Sequence, residues 1–212
     1  MTDLQLEQHE AALDDGRRVL FRPILAGDKE RLQTGLAKLS PESRYQRFFS
    51  TIDHFSERQL RYLTEIDYVN HFAWVALLPD EPGSPGIGVG RWVRLNSEPE
   101  AAEGAVTVTD EFHGQGIGKT LLWLTAHSAI ERGIKRFRVW TLGDNLKVQN
   151  LLADLGAVPG RIDSGVTEFL VPLPDDPADL DGTPAPLVLR AVAEGRVSAV
   201  VESREEHGTR LD

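Results

Sequence analysis

Apolar residues recur along the chain in two rhythms, which together predict a domain that mixes strands and helices. Apolar runs that are continuous or alternate with polar residues are typical of strands, and recurrence every three to four residues is typical of helices. Strands are predicted over 18–24, 71–78, 87–95, 103–109, 137–142 and 166–171. Helices are predicted over 28–39, from Pro41, from Ser56, over 116–132 and over 145–155. Residues 187–200 are predicted to form a further helix or strand.

The second helix begins in the run Ser-Pro-Glu-Ser-Arg-Tyr-Gln-Arg-Phe-Phe. Ser40 is a typical N-cap, and Pro41 suits the first helical position. Tyr45, Phe48 and Phe49 follow at spacings of three and four, so packing alone predicts that they belong to the core.

The most informative segment is a glycine-rich turn between a predicted strand and a predicted helix. Gly114, Gly116 and Gly118 stand at every second position, directly ahead of a helix with Ile117, Leu121, Leu124 and Ala129 on one side. A helix that opens after such a turn presents unpaired backbone N–H groups and the positive end of its dipole. The segment therefore predicts a site for a phosphate or pyrophosphate, although a strand-to-helix turn can also carry glycines for tightness alone.

Counting positions excludes two common phosphate-binding motifs. A P-loop requires a glycine where His113 stands, and Gly114 comes one residue too late. The dinucleotide fingerprint fits Gly114 and Gly116 but requires glycine at Lys119.

The run His-Gly-Gln-Gly-Ile-Gly-Lys-Thr-Leu-Leu resembles the Gln/Arg-x-x-Gly-x-Gly/Ala signature of the GNAT acetyltransferases. His113 takes the place of the usual Gln or Arg. The resemblance implies a mixed, mostly antiparallel sheet flanked by helices, with strands that splay apart at an acetyl-CoA site. It also implies that backbone amides from about Gly114 to Gly118 hold the pyrophosphate. The cofactor-binding residues implied in this way are Val106, Thr107, Val108, His113, Gly114, Gln115, Gly116, Ile117, Gly118, Lys119 and Asn145.

A second GNAT-like pattern lies downstream, in the segment from Asn145 to Gly156. It resembles the family's Asn-x-x-(Ala/Met)-x-x-Leu-x-x-x-Leu-Gly, in which the asparagine meets the pantetheine arm. An ordinary N-cap is the alternative for Asn145. Many GNAT enzymes carry a tyrosine general acid at the position of Leu152, which cannot donate a proton.

Residues 17–157 also resemble the acetyltransferase module of bacterial Pat-type protein lysine acetyltransferases, which acetylate acyl-CoA synthetases. The relatives carry a catalytic glutamate in an Ala-Glu-x-Ala context, matched here by Ala102-Glu103-Gly104-Ala105. An amine with a pKa near 10.4 must lose a proton before it attacks a thioester, and Glu103 is the predicted general base. The alternative is an exposed carboxylate at a strand end. Asp67 and His71 are secondary candidates for lining the acceptor side.

Composition narrows the class of protein. The chain has no cysteine, and its six histidines show no metal-ligand spacing, so no metal site is expected. No apolar segment is long enough to span a membrane, and no signal peptide is recognised, which favours the cytoplasm.

The net charge of −10 comes from the two ends of the chain, residues 1–15 and 174–212, which each carry −5. These are expected to be solvated acidic extensions on either side of an acetyltransferase domain at 16–173. Acidic ends argue against nucleic acids and anionic membranes as partners. The expected partner is a protein lysine on a target such as an acyl-CoA synthetase, and the protein itself is expected to be a monomer or homodimer. A small-amine acetyltransferase and a non-catalytic acyl-CoA sensor stay open as alternatives.

Overall fold

The apolar runs of the chain assemble into one eight-stranded sheet in the computed structural model, which describes residues 8–154 and 156–181. The strand order is β1-β2-β3-β4-β5-β6-β8-β7. Neighbouring strands are antiparallel except for β5 and β6, which are parallel. The strands are β1 (His9–Ala12), β2 (Arg18–Pro23), β3 (His71–Leu77), β4 (Gly86–Leu95), β5 (Glu98–Val108), β6 (Arg136–Leu142), β7 (Val158–Asp163) and β8 (Val166–Pro172). The predicted mixed, mostly antiparallel sheet is confirmed.

Five α-helices of the described residues flank the sheet, and the predicted caps of α2 and α3 are present. The helices are α1 (Lys29–Ala37), α2 (Pro41–Phe48), α3 (Glu57–Thr64), α4 (Ile117–Ile130) and α5 (Leu146–Asp154). The Ser40 side chain accepts a hydrogen bond from the N–H of Ser43, which caps α2. Ser56 caps α3 through a reciprocal arrangement with Gln59.

Two strands and one strand boundary differ from the prediction. β1 lies inside the acidic segment 1–15 and pairs with β2, and β7 pairs with β8 at the opposite edge. Neither strand was predicted, because β1 is short and polar and β7 contains Pro159 and Gly160. β5 begins at Glu98 instead of residue 103, because pairing with its neighbours extends it through Pro99. Residues 187–200 lie outside the described part of the chain.

The aromatic residues of α2 also differ from the core prediction. None of its residues is buried, and Tyr45 is 47% exposed. The spacing of three and four places aromatic residues on one side of the helix, but here that side meets solvent as well as protein.

One face of the sheet packs directly against α4. Ile117, Leu121, Leu124 and Ala129 are buried there, as predicted. β4 carries glycines beneath the helix, and a Cβ at Gly90 would lie 2.4 Å from the Thr125 hydroxyl oxygen and 3.0 Å from the Leu121 carbonyl oxygen. Because the glycines on this face of β4 carry no side chains, the helix can approach the sheet closely.

A polar contact within this layer ties α4 to two strands. The indole N–H groups of Trp74 on β3 and Trp92 on β4 both donate to the Ser128 hydroxyl, at 3.3 and 3.1 Å. Ser128 in turn donates to the Thr125 carbonyl at 3.1 Å. Buried polar groups are thereby satisfied within an otherwise apolar core.

The opposite face of the sheet is covered by the segment that contains α1, α2 and α3. Ile24, Ala73, Val75 and Leu77 form a second apolar cluster on this side, with Leu32 of α1 packed against it. The two faces are thus covered by different parts of the chain.

Candidate functional site

The parallel strands β5 and β6 separate part-way along their length. Their paired residues run only from Ala101 opposite Arg136 to Glu103 opposite Arg138. Beyond that point β5 continues to Val108 paired with β4, and β6 continues to Leu142 paired with β8. Within the described residues, the β5 backbone from Gly104 to Val108 therefore has one edge without a neighbouring strand.

The glycine turn follows directly from this open segment of β5. Gly114 and Gly116 have φ angles of 79° and 84°, a region that favours glycine, and Gly116 is the N-cap of α4. The Thr120 N–H donates to the Gly116 carbonyl at 3.0 Å, so the N–H groups of the first helical turn precede the intrahelical ladder. A Cβ added at Gly116 would meet no protein atom within 4 Å. The space beside Gly116 is therefore open at the N-terminus of α4, which suits an anion such as a pyrophosphate.

His113 shapes the turn through its ring and its backbone. The ring Nε2 lies 2.9 Å from the Val108 carbonyl oxygen, so it carries the proton and donates. The His113 N–H donates to the Asp110 carbonyl at 3.2 Å. The backbone amide of His113 is therefore engaged within the turn, and the donors that face outward begin at Gly114.

Asp110 links the same turn to the start of α2. Its carboxylate accepts the Ser40 N–H at 2.8 Å, the Ser40 hydroxyl at 3.1 Å and the Ser43 hydroxyl at 2.7 Å. Burial alone would raise the pKa of Asp110, but these hydrogen bonds outweigh it and hold the pKa below its usual range. Sequence reasoning missed this contact because it joins residues about seventy positions apart, and no local pattern signals it.

Glu103 lies at the point where β5 and β6 separate, and it is only 5% exposed. The register places His71, Val93, Glu103 and Arg138 side by side on four successive strands. Residues paired in this way point to the same face of a sheet, here the face covered by α1 to α3. The alternative of an exposed strand-end carboxylate is not what the structure shows.

Charged residues surround the point of separation on the β6 side. Arg138 forms ion pairs with Glu98 and, at 3.5 Å, with Glu168, and Arg136 lies 2.8 Å from Glu98. Arg136 and Arg138 alternate with buried Phe137 and Val139 along β6. That alternation predicts the strand, but only the register shows that Arg138 stands beside Glu103.

The two secondary candidates have different surroundings. Asp67 accepts backbone N–H groups from Val69, Asn70 and His71 at 2.8–2.9 Å. Burial alone would raise its pKa, but these bonds bring the pKa of Asp67 to about 2. Burial, together with the charge of Arg91, lowers the pKa of His71 to about 3, so this ring is neutral. Asp67 thus stabilises a turn, whereas His71 is buried on the same face of the sheet as Glu103.

Asn145 and Leu152 belong to the segment after β6. The Asn145 N–H donates to the Leu142 carbonyl and its own carbonyl accepts from Gln149, both at 3.1 Å, so it stands at the N-terminus of α5. This places Asn145 just past the end of the strand that leaves β5. Leu152 is 3% exposed and part of the core, and it offers no proton.

A strand pair that separates, followed by a glycine turn at a helix N-terminus, matches a known family. Residues 40–157 match the model of the "Acetyltransferase (GNAT) family". The chain belongs to the GNAT acetyltransferase family. It is accordingly an N-acetyltransferase by family, and its fold is the GNAT fold.

Individual GNAT relatives include Pat-type proteins. The chain is 37% identical over 159 residues to "Acetyltransferase Pat" of Mycolicibacterium smegmatis, a match that covers 75% of this chain and 47% of that protein. The chain thus spans about half the length of that relative. It is 31% identical to an acetyltransferase of Pseudomonas aeruginosa, with 75% of this chain and 85% of that protein covered.

Solved GNAT structures support the same assignment. The GNAT domain of S. lividans PAT superposes with a TM-score of 0.68 at 30% identity, covering 78% of this chain and 97% of that one. A Salmonella typhimurium putative acetyltransferase, solved with its cofactor acetyl-CoA, shares the fold with a TM-score of 0.53 at 14% identity, covering 74% and 95%.

Residues 8–154 and 156–181 contain neither a candidate membrane-spanning helix nor a candidate metal-binding cluster. No helix there combines the length and the apolar character needed to cross a bilayer. The same residues contain no group of three or more His, Cys, Asp or Glu side chains arranged to hold a metal ion.

Proposed function

We propose that this protein transfers the acetyl group of acetyl-CoA directly to a lysine side chain of another protein, with Glu103 as the general base. The observation that carries the proposal is the position of Glu103, buried at the point where β5 and β6 separate. Glu103 is the last residue of β5 to pair with β6 before the two strands separate.

The open edge of β5 and the glycine turn supply the binding groups for acetyl-CoA. Backbone groups of successive strand residues point alternately to the two edges of β5, and the segment Val106, Thr107 and Val108 is assigned to the amides of a pantetheine arm. N–H groups from Gly114 to Lys119 face the pyrophosphate from the start of α4, and Asn145 meets the pantetheine arm from the far side of the gap. His113 fixes the turn through its bond to Val108. Acetyl-CoA supplies the activated thioester carbonyl.

Glu103 removes the proton that the acceptor amine must lose, either directly or through a water. A lysine amine is almost fully protonated at neutral pH, so a base at the point of attack raises the fraction able to react. The departing thiolate takes its proton from solvent, because Leu152 stands where many family members have a tyrosine.

A protein lysine is the preferred acceptor because the relatives of this chain include a Pat acetyltransferase and the GNAT domain of another PAT. The resemblance of Ala102-Glu103-Gly104-Ala105 to the catalytic context of those relatives supports the same choice. We further propose that residues 16–173 form the catalytic domain and that the protein works in the cytoplasm.

The test uses purified protein, labelled acetyl-CoA and a bacterial lysate, with label counted separately in protein and small-molecule fractions. Glu103→Gln is the variant, and Glu100→Gln is the matched control, because Glu100 is an exposed residue of β5 paired with Lys135. Label on protein bands that disappears only in Glu103→Gln supports the proposal. Label confined to small molecules would assign a small amine as acceptor, and bound acetyl-CoA without any transfer would indicate a sensor.

A further inference from the structure

A cavity lies on the face of the sheet that is covered by α1 to α3, and Thr107 of β5 and Thr109 just beyond it form part of its wall. It has a volume of about 80 Å³. Its walls are mainly apolar, including Leu36, Leu39, Phe48, Phe55, Val75 and Val89. A cavity needs about 10–15 Å³ to hold one water, so this one takes a molecule of about six non-hydrogen atoms.

Arg91 of β4 lines this apolar cavity and is 7% exposed. One of its terminal nitrogens lies 2.9 Å from His71 Nε2, and the other donates to the Leu63 carbonyl at 3.2 Å. Both partners are neutral acceptors. Within residues 8–154 and 156–181, no carboxylate oxygen lies within 4.0 Å of the Arg91 guanidinium, so a positive charge is buried without a direct ion pair.

The other charged groups at the cavity increase its positive character. Burial lowers the pKa of Arg91, and the positive charge of Arg47 is the next largest cause, so that the pKa is about 9. Arg91 therefore keeps its proton at neutral pH. Arg47 also lines the cavity. Asp28 lines the cavity too, but its carboxylate already accepts bonds from Arg22, Arg31 and the Leu25 N–H at 2.7–3.0 Å.

A buried charge is costly unless it is paired, so a ligand that brings a carboxylate to Arg91 gains a strong, desolvated ion pair. The apolar walls add a preference for a hydrocarbon body. The same arginines would repel an amine. The cavity is therefore unsuited to be the site that receives the acceptor lysine.

We propose that the cavity binds a short-chain monocarboxylate of the size of propionate or butyrate, with the carboxylate on Arg91 and the alkyl chain against Leu36 and Phe48. This site shares Thr107 with the proposed acetyl-CoA site, and its occupancy can be measured without any turnover.

The test is a calorimetric and thermal-unfolding titration of the full chain with butyrate at constant ionic strength. Butyramide is the matched uncharged probe, and inorganic phosphate is the anion without an apolar body. We expect saturable binding of butyrate, at least about tenfold weaker binding of butyramide, and no saturable binding of phosphate, because a charge-assisted bond exceeds a neutral one by about 1.4 kcal/mol or more. Equal binding of butyramide, binding of phosphate, or failure of butyrate to saturate would overturn the proposal.

Two variants locate the site. Arg91→Lys keeps a positive charge but cannot form the bidentate hydrogen bonds of a guanidinium, and we expect it to weaken butyrate binding. Leu36→Phe fills the cavity and leaves Arg91 in place, so it should abolish binding even if the Arg91 variant proves unstable. Unchanged butyrate affinity in Leu36→Phe would place the ligand elsewhere and refute the assignment.

Discussion

Glu103 and Arg138 are the last residues to pair before β5 and β6 diverge. The pairing fixes Glu103 at the narrow end of the gap, while the glycine turn lies beyond the far end of β5. The proposed base and the proposed anion-binding turn are thus held at opposite ends of one strand segment, Gly104–Val108. This separation suits a long cofactor whose reactive thioester is distant from its pyrophosphate.

Replacing Glu103 by Gln should reduce the rate of transfer without weakening acetyl-CoA binding. Loss of a general base typically lowers kcat by about 10²–10⁴-fold, and the Gln side chain preserves size. Steady-state kinetics at several pH values and calorimetric titration with acetyl-CoA would measure both effects. Glu100→Gln makes the same chemical change at the third residue of β5, which is exposed, and should leave kcat unchanged. A kcat of Glu103→Gln within twofold of the unaltered enzyme would reject the assigned role.

Replacing Gly116 by Ala should weaken acetyl-CoA binding. The φ angle of 84° penalises any L-residue by about 1–2 kcal/mol, and the new methyl would lie in the open space before the N–H donors. Gly133→Ala is the matched control, since Gly133 has a φ of 78° and equally open surroundings but lies after the opposite end of α4. Both variants should lose similar stability, and only Gly116→Ala should raise the Kd for acetyl-CoA. Equal Kd values in the two variants would argue against a pyrophosphate at this turn.

Replacing Asp110 by Asn should raise KM for both acetyl-CoA and the acceptor. The change removes one acceptor oxygen and the charge that hold Ser40, Ser43 and the glycine turn together. Hydrogen bonds to charged groups contribute about 1.5–3 kcal/mol, so the free energy of unfolding should also fall. Asp53→Asn, at an exposed carboxylate that pairs with Arg44, is the control and should change neither KM. A change in KM for only one of the two substrates would show that the contact of Asp110 with Ser40 and Ser43 does not couple the two binding sites.

Replacing Gly90 by Ala should destabilise the fold. A Cβ there would lie 2.4 Å from the Thr125 hydroxyl oxygen, and overpacking of a core typically costs about 1–3 kcal/mol. Gly35→Ala in α1 is the contrasting control, because its Cβ would meet only the Gly86 carbonyl at 3.7 Å. That change should stabilise the helix by about 0.5–1 kcal/mol. Urea unfolding of both variants measures the difference, and a Gly90→Ala variant as stable as the parent would contradict the close approach of α4.

Asp67 should make stability depend on acid pH. Its pKa of about 2 in the folded protein lies below its ordinary value near 3.9, so its contribution is complete above that value and is lost as the pH falls towards 2. The unfolding free energy should therefore decline more steeply between pH 4 and pH 2 in the parent than in Asp67→Asn. Parallel curves over that range would show that the turn at Val69 to His71 does not depend on the carboxylate.

Local sequence patterns predicted the five helices and six of the eight strands, because periodicity and capping are local properties. Spacing and family resemblance predicted the glycine turn and Glu103 as site residues, whereas their contacts and burial are known only from the structure. Arg138, Arg91 and the Asp110 contact could not be predicted in this way. Each depends on strand register or on the packing of segments far apart in the chain, which a single sequence does not specify.

The indoles of Trp74 and Trp92, which share the Ser128 hydroxyl, give the protein a built-in optical probe. Indole emission depends on the hydrogen bond of its N–H group, and Ser128 is on the helix whose first turn faces the proposed pyrophosphate site. Any displacement of α4 along its axis would therefore alter the fluorescence of two buried tryptophans. A ligand at the glycine turn that displaces α4 can then be followed in unlabelled protein, in real time and without waiting for a reaction.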